Sequence, residues 1–313
     1  MFEKFTGEFD QKSAIYVKNL GAYSLSDTME CGQCFRYEKV ERDDGIDEYI
    51  TVIENELIRV AQKERGELIF PNMTDEVFNS VAIRYFALDR DLEKVRKSVA
   101  DSTNSEWLKS AADFGSGIAI LGQDPWETII SFIISQNNNI PRIRKIVREI
   151  SAAYGVNLSI KNDYNSCPLK LIDGVPNQEA CKLCGRCYTF PRAEDILQNP
   201  EKLLPSKPGF RYGYILDAAE KIASGEVDIE KIKIESRYEY TIEVLKTIKG
   251  IGDKVASCAA LFGFGNLEAF PIDVWMKRAI DTYFDGKLDP TTLGPYAGIA
   301  QQYIFHYIRN ENK

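Results

Sequence analysis

Apolar and polar positions alternate over roughly the first seventy residues, and after that the period lengthens. Residues 13–20 (SAIYVKNL) alternate and are rich in β-branched side chains, and Phe35–Val40, Tyr49–Ile53, Leu57–Ala61 and Leu68–Phe70 follow suit with turn residues between them. This pattern predicts an antiparallel sheet, with Asn55 at the tip of one hairpin. Phe78–Phe86 and Leu92–Ser102 carry a helical period. The fold class is therefore α+β, with an N-terminal antiparallel sheet domain and its helices assigned to residues 1–115. Residues 116–313 read as helical throughout. Asp124, Pro125 and Glu127 form a helix start signal, and the helix Trp126–Ser135 behind it is apolar on most sides, hence buried. Residues 143–156 are amphipathic, with Arg144, Lys145 and Arg148 on a solvated face. Further helices are predicted at Tyr214–Ile222, from Asp253, after Asp273 and at Tyr296–Tyr307.

Chemistry gathers in residues 245–278. Gly250-Ile251-Gly252 lies between two apolar-periodic segments and reads as a tight turn joining two helices. Such a turn also serves purely structural ends. Its free N–H groups nonetheless converge with those of the following helix N-terminus on a spot that suits a phosphate. Lys254 stands one turn into that helix, with Cys258 four residues on along the same face. There the positive end of the helix dipole favours a free amine, a plausible nucleophile if partly desolvated. Asp273 follows Pro271-Ile272 and precedes an apolar-periodic run, an N-cap position that holds a carboxylate still.

Composition qualifies this picture. The chain has 313 residues, 44% hydrophobic and 27% charged, enough for a sizeable core and two or three domains. A net charge of -8 and a pI near 5.1 argue at first against a nucleic-acid partner. Acidic residues cluster in Glu38–Glu56 and Asp75–Glu93, however, leaving other faces neutral or basic. Backbone amides also bind phosphate without entering a charge count. Modest affinity with a sharp salt dependence is the expectation. No apolar run approaches a membrane span, and the N-terminus lacks a signal peptide's apolar core. An intracellular protein without a membrane partner follows.

Seven cysteines suggest reduced thiols or a metal rather than a disulfide scaffold. Cys167, Cys181, Cys184 and Cys187 fall in an insertion of about 163–190, where the C-x2-C spacings are typical of zinc ligands. The order C-x13-C-x2-C-x2-C is unusual, so a structural zinc and unligated thiols both stand as readings. No cofactor is expected for catalysis.

Six motifs occur in order: G-Q-C-F-R (32–36), Q-N-N-N-I-P-R (136–142), G-F-R (209–211), G-I-G-D-K-V-A-S-C (250–258), P-I-D-V (271–274) and A-Q-Q-Y-I-F (300–305). Separately they read as a loop glycine, an asparagine helix cap, helix starts and a terminal helix. Together they resemble the 8-oxoguanine DNA glycosylase family of the helix-hairpin-helix (HhH-GPD) superfamily, over most of the chain. The resemblance implies that Gly250 and Gly252 grip DNA backbone, Lys254 attacks the deoxyribose and Asp273 assists. It makes the Gly32 carbonyl the lesion sensor, since 8-oxoguanine carries a hydrogen at N7 where guanine has a bare acceptor. Cys258 and Phe305 would sandwich the flipped base and Gln301 would pair with its Watson–Crick edge. Asn137 would fill the vacated stack, Phe210 would wedge into it, and Arg142 and Arg211 would address the orphaned cytosine. The family's usual wedge is tyrosine, and Trp275 stands where it often has histidine near a phosphate. His306, the single histidine, receives no role.

The implied activity is a bifunctional glycosylase and abasic-site lyase acting on duplex DNA with 8-oxoguanine opposite cytosine. One flipped base needs one subunit, so a monomer is expected. The alternatives are a glycosylase of the same superfamily for another damaged base, and a non-catalytic helix-hairpin-helix DNA-binding protein. Lys254 argues against the first, because glycosylases that merely activate water commonly lack the lysine. The second requires neither Asp273 nor the Gly32 loop.

Overall fold

A computed structural model describes residues 2–158 and 185–310. The first part is a six-stranded antiparallel sheet in the order β1-β2-β6-β5-β4-β3. Its strands are β1 (Glu3–Phe9), β2 (Lys12–Lys18), β3 (Tyr37–Val40), β4 (Asp47–Ile53), β5 (Glu56–Gln62) and β6 (Leu68–Pro71). Each alternating segment of the sequence is a strand. Ile53 pairs with Glu56, so Glu54 and Asn55 form the two-residue hairpin turn, with Glu54 left-handed at φ 55°. Strand β1 is additional to the sequence reading. It is an edge strand with nearly every residue exposed or half-exposed, so no buried face imposed an apolar alternation on it.

Helix α1 (Leu25–Glu30) connects β2 to the segment that carries Gly32. The stretch 78–86 is helical as expected, but its middle, Phe78–Ala82, is a π-helical turn between short α-helical pieces. Tyr23, Tyr49, Phe70, Phe78 and Phe86 form the centre of the sheet's core. On β4 Glu48, fully buried, is held by Arg42 at 2.8 Å and Arg59 at 2.5 Å. Arg42 also pairs with Asp10 and Asp44, satisfying charges that would be costly alone.

A second core lies in the helical body. Its longer helices are α2 (Leu92–Asp101), α3 (Glu106–Phe114), α4 (Pro125–Ser135), α5 (Ile140–Tyr154), α6 (Arg211–Ala223), α7 (Tyr238–Leu245), α8 (Asp253–Gly263), α9 (Val274–Tyr283) and α10 (Ala297–Asn310). Helix α4 is its axis, with Ile129, Ile130, Ile133 and Ile134 fully buried. Val95, Val99, Leu108 and Ala111 join this core rather than that of the sheet. By packing, therefore, α2 and α3 go with the helices although the division at 115 counts them with the sheet. Among the described residues no helix is long and apolar enough to cross a membrane.

The start of α4 is capped as the sequence predicts, Asp124 accepting from the Glu127 N–H at 2.8 Å. The Glu127 carboxylate does not return to the cap. It takes a two-pronged pair from Arg36, at 2.7 and 2.8 Å. Arg144, expected on a solvated face, instead donates to the Tyr37 carbonyl, lies over the Tyr37 ring and pairs with Glu38 at 3.5 Å. These contacts lock sheet and helices together around the Gly32 segment.

Candidate active site

The hairpin is formed by α7, a turn through residues 246–252 and α8. Gly250 has φ +82°, the left-handed region, and a Cβ there would lie 2.3 Å from the Tyr214 ring. Only glycine fits. Gly252 differs: it is the N-cap of α8 in an extended conformation, no side chain caps the helix, and an added Cβ would meet nothing within 4 Å. The first amides of α8 are thus open to an incoming anion. Asp217 of α6 accepts the Lys249 N–H at 2.7 Å and steadies the turn.

Lys254 projects from the first turn of α8 into a solvent-open cleft, which also receives Gly32, Cys258, Asp273, Gln301 and Phe305. Its floor is aromatic: Phe132 stacks on Phe262 with centroids 5.4 Å apart, and the Lys254 amine lies 5.2 Å from the Phe132 centroid. Burial pushes the Cys258 thiol up to about 11, although the neighbouring Lys254 pulls the other way. At neutral pH it is a thiol that packs, not a thiolate. Asp273 caps α9 as predicted, accepting from the Met276 N–H at 2.9 Å, and this fixes its carboxylate at the cleft wall.

Gly32 has φ +89°, and a Cβ built there would come 3.6 Å from the Phe305 ring. The main chain can therefore approach whatever lies against that ring. The adjacent Gln33, fully buried, anchors the segment. Its amide donates to the Thr28 and Ala119 carbonyls, both at 2.8 Å, and its Oε1 accepts from the Leu121 N–H at 2.9 Å. Sequence reasoning missed this role, though a glutamine beside a loop glycine was the available signal. His306 likewise has a partner, with Nε2 3.5 Å from Asp27 of α1. Burial pushes Cys31 up to about 12 and Cys34 up as well, so neither flanking thiol is reactive.

A second group stands together on the surface. Asn137 is exposed in a left-handed turn, φ 47°, and Arg142 is exposed beside it, donating to the Lys207 carbonyl at 3.2 Å. Phe210, 53% exposed, projects from the start of α6. Arg211 departs from the expectation. It is 5% exposed and donates to the Gln136 carbonyl, to the Asn137 carbonyl at 3.2 Å and to the Pro208 carbonyl at 3.2 Å. The carbonyls of a left-handed turn need donors, and Arg211 supplies them from beneath. Among the described residues Arg142, Lys207, Lys249, Lys277 and Arg278 stand in no ion pair. An acidic protein thus keeps unpaired cations around the hairpin, the asparagine turn and α9.

Cys167, Cys181 and Cys184 lie outside the described residues, and Cys187 is buried just after them. Among the described residues no three metal-ligating side chains come together.

Residues 15–129 match the family model for the 8-oxoguanine DNA glycosylase N-terminal domain. The N-glycosylase/DNA lyase of Saccharomyces cerevisiae is 27% identical over 291 residues, 83% of this chain and 68% of that one. Among solved structures, MBOgg1 in complex with a low-affinity DNA ligand gives a TM-score of 0.81 at 31% identity, covering 99% of this chain and 100% of that one. The 8-oxoguanine glycosylase/lyase of Clostridium acetobutylicum, bound to duplex DNA with cytosine opposite 8-oxoguanine, gives 0.79 at 30% identity over 100% of this chain and 99% of the other. Likeness from end to end at this identity, on this sheet-and-hairpin fold, means that the chain belongs to the 8-oxoguanine DNA glycosylase family of the helix-hairpin-helix superfamily.

Proposed function

We propose that this enzyme releases 8-oxoguanine standing opposite cytosine in duplex DNA through a Schiff base on Lys254, then cleaves the strand at the abasic site. Its class, DNA N-glycosylase with abasic-site lyase activity, follows from its family. The observation that carries the finer reading is the meeting in one cleft of Lys254, Asp273, Gly32, Cys258, Gln301 and Phe305, from distant parts of the chain.

The open amides at Gly252 and the start of α8 hold a backbone phosphate. Phe210 enters the stack, Asn137 occupies the space left by the extruded nucleotide, and Arg142 offers its fork of donors to the orphaned cytosine. Arg211 serves by holding the Asn137 turn. In the cleft the base lies between Phe305 and Cys258, with N7–H toward the Gly32 carbonyl. The free amine of Lys254 then forms a bond to C1′ as the C1′–N9 bond breaks, and the bonding pair leaves with the base. Asp273 stabilises the positive charge that develops on the sugar. Ring opening gives the Schiff base, and loss of a C2′ proton expels the 3′ phosphate. The enzyme acts as a monomer, since one chain supplies the whole cleft.

Borohydride trapping on duplex containing 8-oxoguanine tests the reading. A covalent adduct is expected with the native chain and none with Lys254→Gln. If Lys254→Gln still releases base and traps, the amine is elsewhere and the assignment is lost.

A further inference from the structure

Gln302 is 4% exposed in the wall of the cleft, and its Oε1 is buried without a hydrogen-bond partner among the described residues. A buried, unsatisfied carbonyl costs roughly 1–3 kcal/mol, so its presence calls for a reason. Its other amide atom is engaged. Nε2 donates to Oε1 of Gln301, also 4% exposed, at 2.7 Å. With the amides in this arrangement the Gln301 carbonyl is turned to Gln302, which leaves its NH2 group as the donor for a ligand. Side by side, the two amides present one spare donor and one spare acceptor.

We propose that Gln302 is a specificity residue, which together with Gln301 reads the six-position edge of the extruded purine. The inference rests on the base pocket proposed above. A guanine-type base carries an acceptor at O6 beside a donor at N1–H, the complement of a Gln301 donor and a Gln302 acceptor. An adenine-type base carries a donor at N6 beside an acceptor at N1, and meets like with like at both positions. Gly32 responds to oxidation at the five-membered ring. The glutamine pair responds to the six-membered ring, so the two together demand a purine that is both oxidised at C8 and keto at C6. Discrimination of this kind is steep, because the wrong base leaves buried polar groups unpaired.

The test compares the native chain with Gln302→Met, similar in length and without the polar atoms. Single-turnover base release is measured on duplexes containing 8-oxoguanine or 8-oxoadenine, alongside strand cleavage at a preformed abasic site and thermal melting. Release of 8-oxoguanine should fall about tenfold and the preference over 8-oxoadenine should narrow by at least that factor. Cleavage at the abasic site, which presents no base, should stay as it was, and the melting temperature should hold, because the variant removes the orphan carbonyl of Gln302 but takes the donor from that of Gln301. Gln302→Leu gives the same comparison if the methionine variant does not accumulate. Unchanged release of 8-oxoguanine, or a loss of melting temperature with both activities falling together, would show a merely structural glutamine. A native chain that releases no 8-oxoguanine at all would instead sink the underlying reading of the pocket.

Discussion

The two hairpin glycines are alike in sequence and opposite in their demands, so replacing each by alanine separates folding from DNA contact. At position 250 an alanine takes a left-handed conformation that costs roughly 1–2 kcal/mol. Its methyl would also sit 2.3 Å from the Tyr214 ring, and relieving such overpacking typically costs about 1–3 kcal/mol more. Gly250→Ala should therefore lose roughly 2–5 kcal/mol, seen as a clear drop in melting temperature. At position 252 the backbone is extended and the space around a Cβ is empty, so Gly252→Ala should change stability by less than about 1 kcal/mol. The same methyl would stand over the open amides of α8. Loss of one charge-assisted phosphate contact, roughly 1.5–3 kcal/mol, corresponds to about tenfold to hundredfold weaker binding. Fluorescence anisotropy with a duplex bearing a non-cleavable abasic analogue, at fixed salt, reads that change. If Gly252→Ala binds as tightly as the native chain while melting normally, those amides do not face DNA and the hairpin has been assigned the wrong partner.

Other expectations follow from neighbouring geometry. Gln33→Ala orphans the Leu121 N–H and the Ala119 carbonyl and leaves the Thr28 carbonyl only the weak Cys31 thiol donor, so it should cost roughly 2–5 kcal/mol by thermal melting, and a smaller loss would mean that the Gly32 segment is held some other way. Arg142→Ala should leave melting within about 0.5 kcal/mol of native while relaxing the preference for cytosine opposite the lesion. Arg211→Ala should instead destabilise by roughly 2–4 kcal/mol through the turn carbonyls it serves; equal effects from the two arginines would refute the distinction. Cys258 titrates near 11 in the folded protein, above the usual thiol value of 9.0, so the thiolate is scarce below that range and grows as pH rises through it. Site-resolved alkylation by iodoacetamide should accordingly be far slower at Cys258 than in the unfolded chain at pH 8, and comparable rates would contradict its burial.

Much of this architecture was readable from the residues because local pattern and tertiary role agree. Strands β2, β4, β5 and β6 bury one or both faces and show it in their composition, and Asp124 and Asp273 announce helix starts that the structure confirms through their side-chain caps. What stayed hidden depends on partners distant in the chain. Amphipathicity shows that α2 buries a face, but not against which core. Glu127 looks like a capping-box residue until Arg36, 91 positions away, claims its carboxylate. The G-F-R motif places an arginine near a turn, yet only burial tells Arg211, which holds the turn, from Arg142, which stands clear of it.

The uneven pairing of charge has a kinetic consequence. Around Arg42 three carboxylates are gathered into one knot, whereas beside the hairpin and in α9 Lys246 pairs with Asp253 at 2.6 Å and Lys249, Lys277 and Arg278 stand in no ion pair among the described residues. A polyanion pushes away the acidic side of such a molecule and pulls on the other, so encounters are sorted by attitude before any contact forms. The unpaired cations at Arg142, Lys207, Lys249, Lys277 and Arg278 then favour approaches in which the asparagine turn and the hairpin lead, and added salt should weaken that bias.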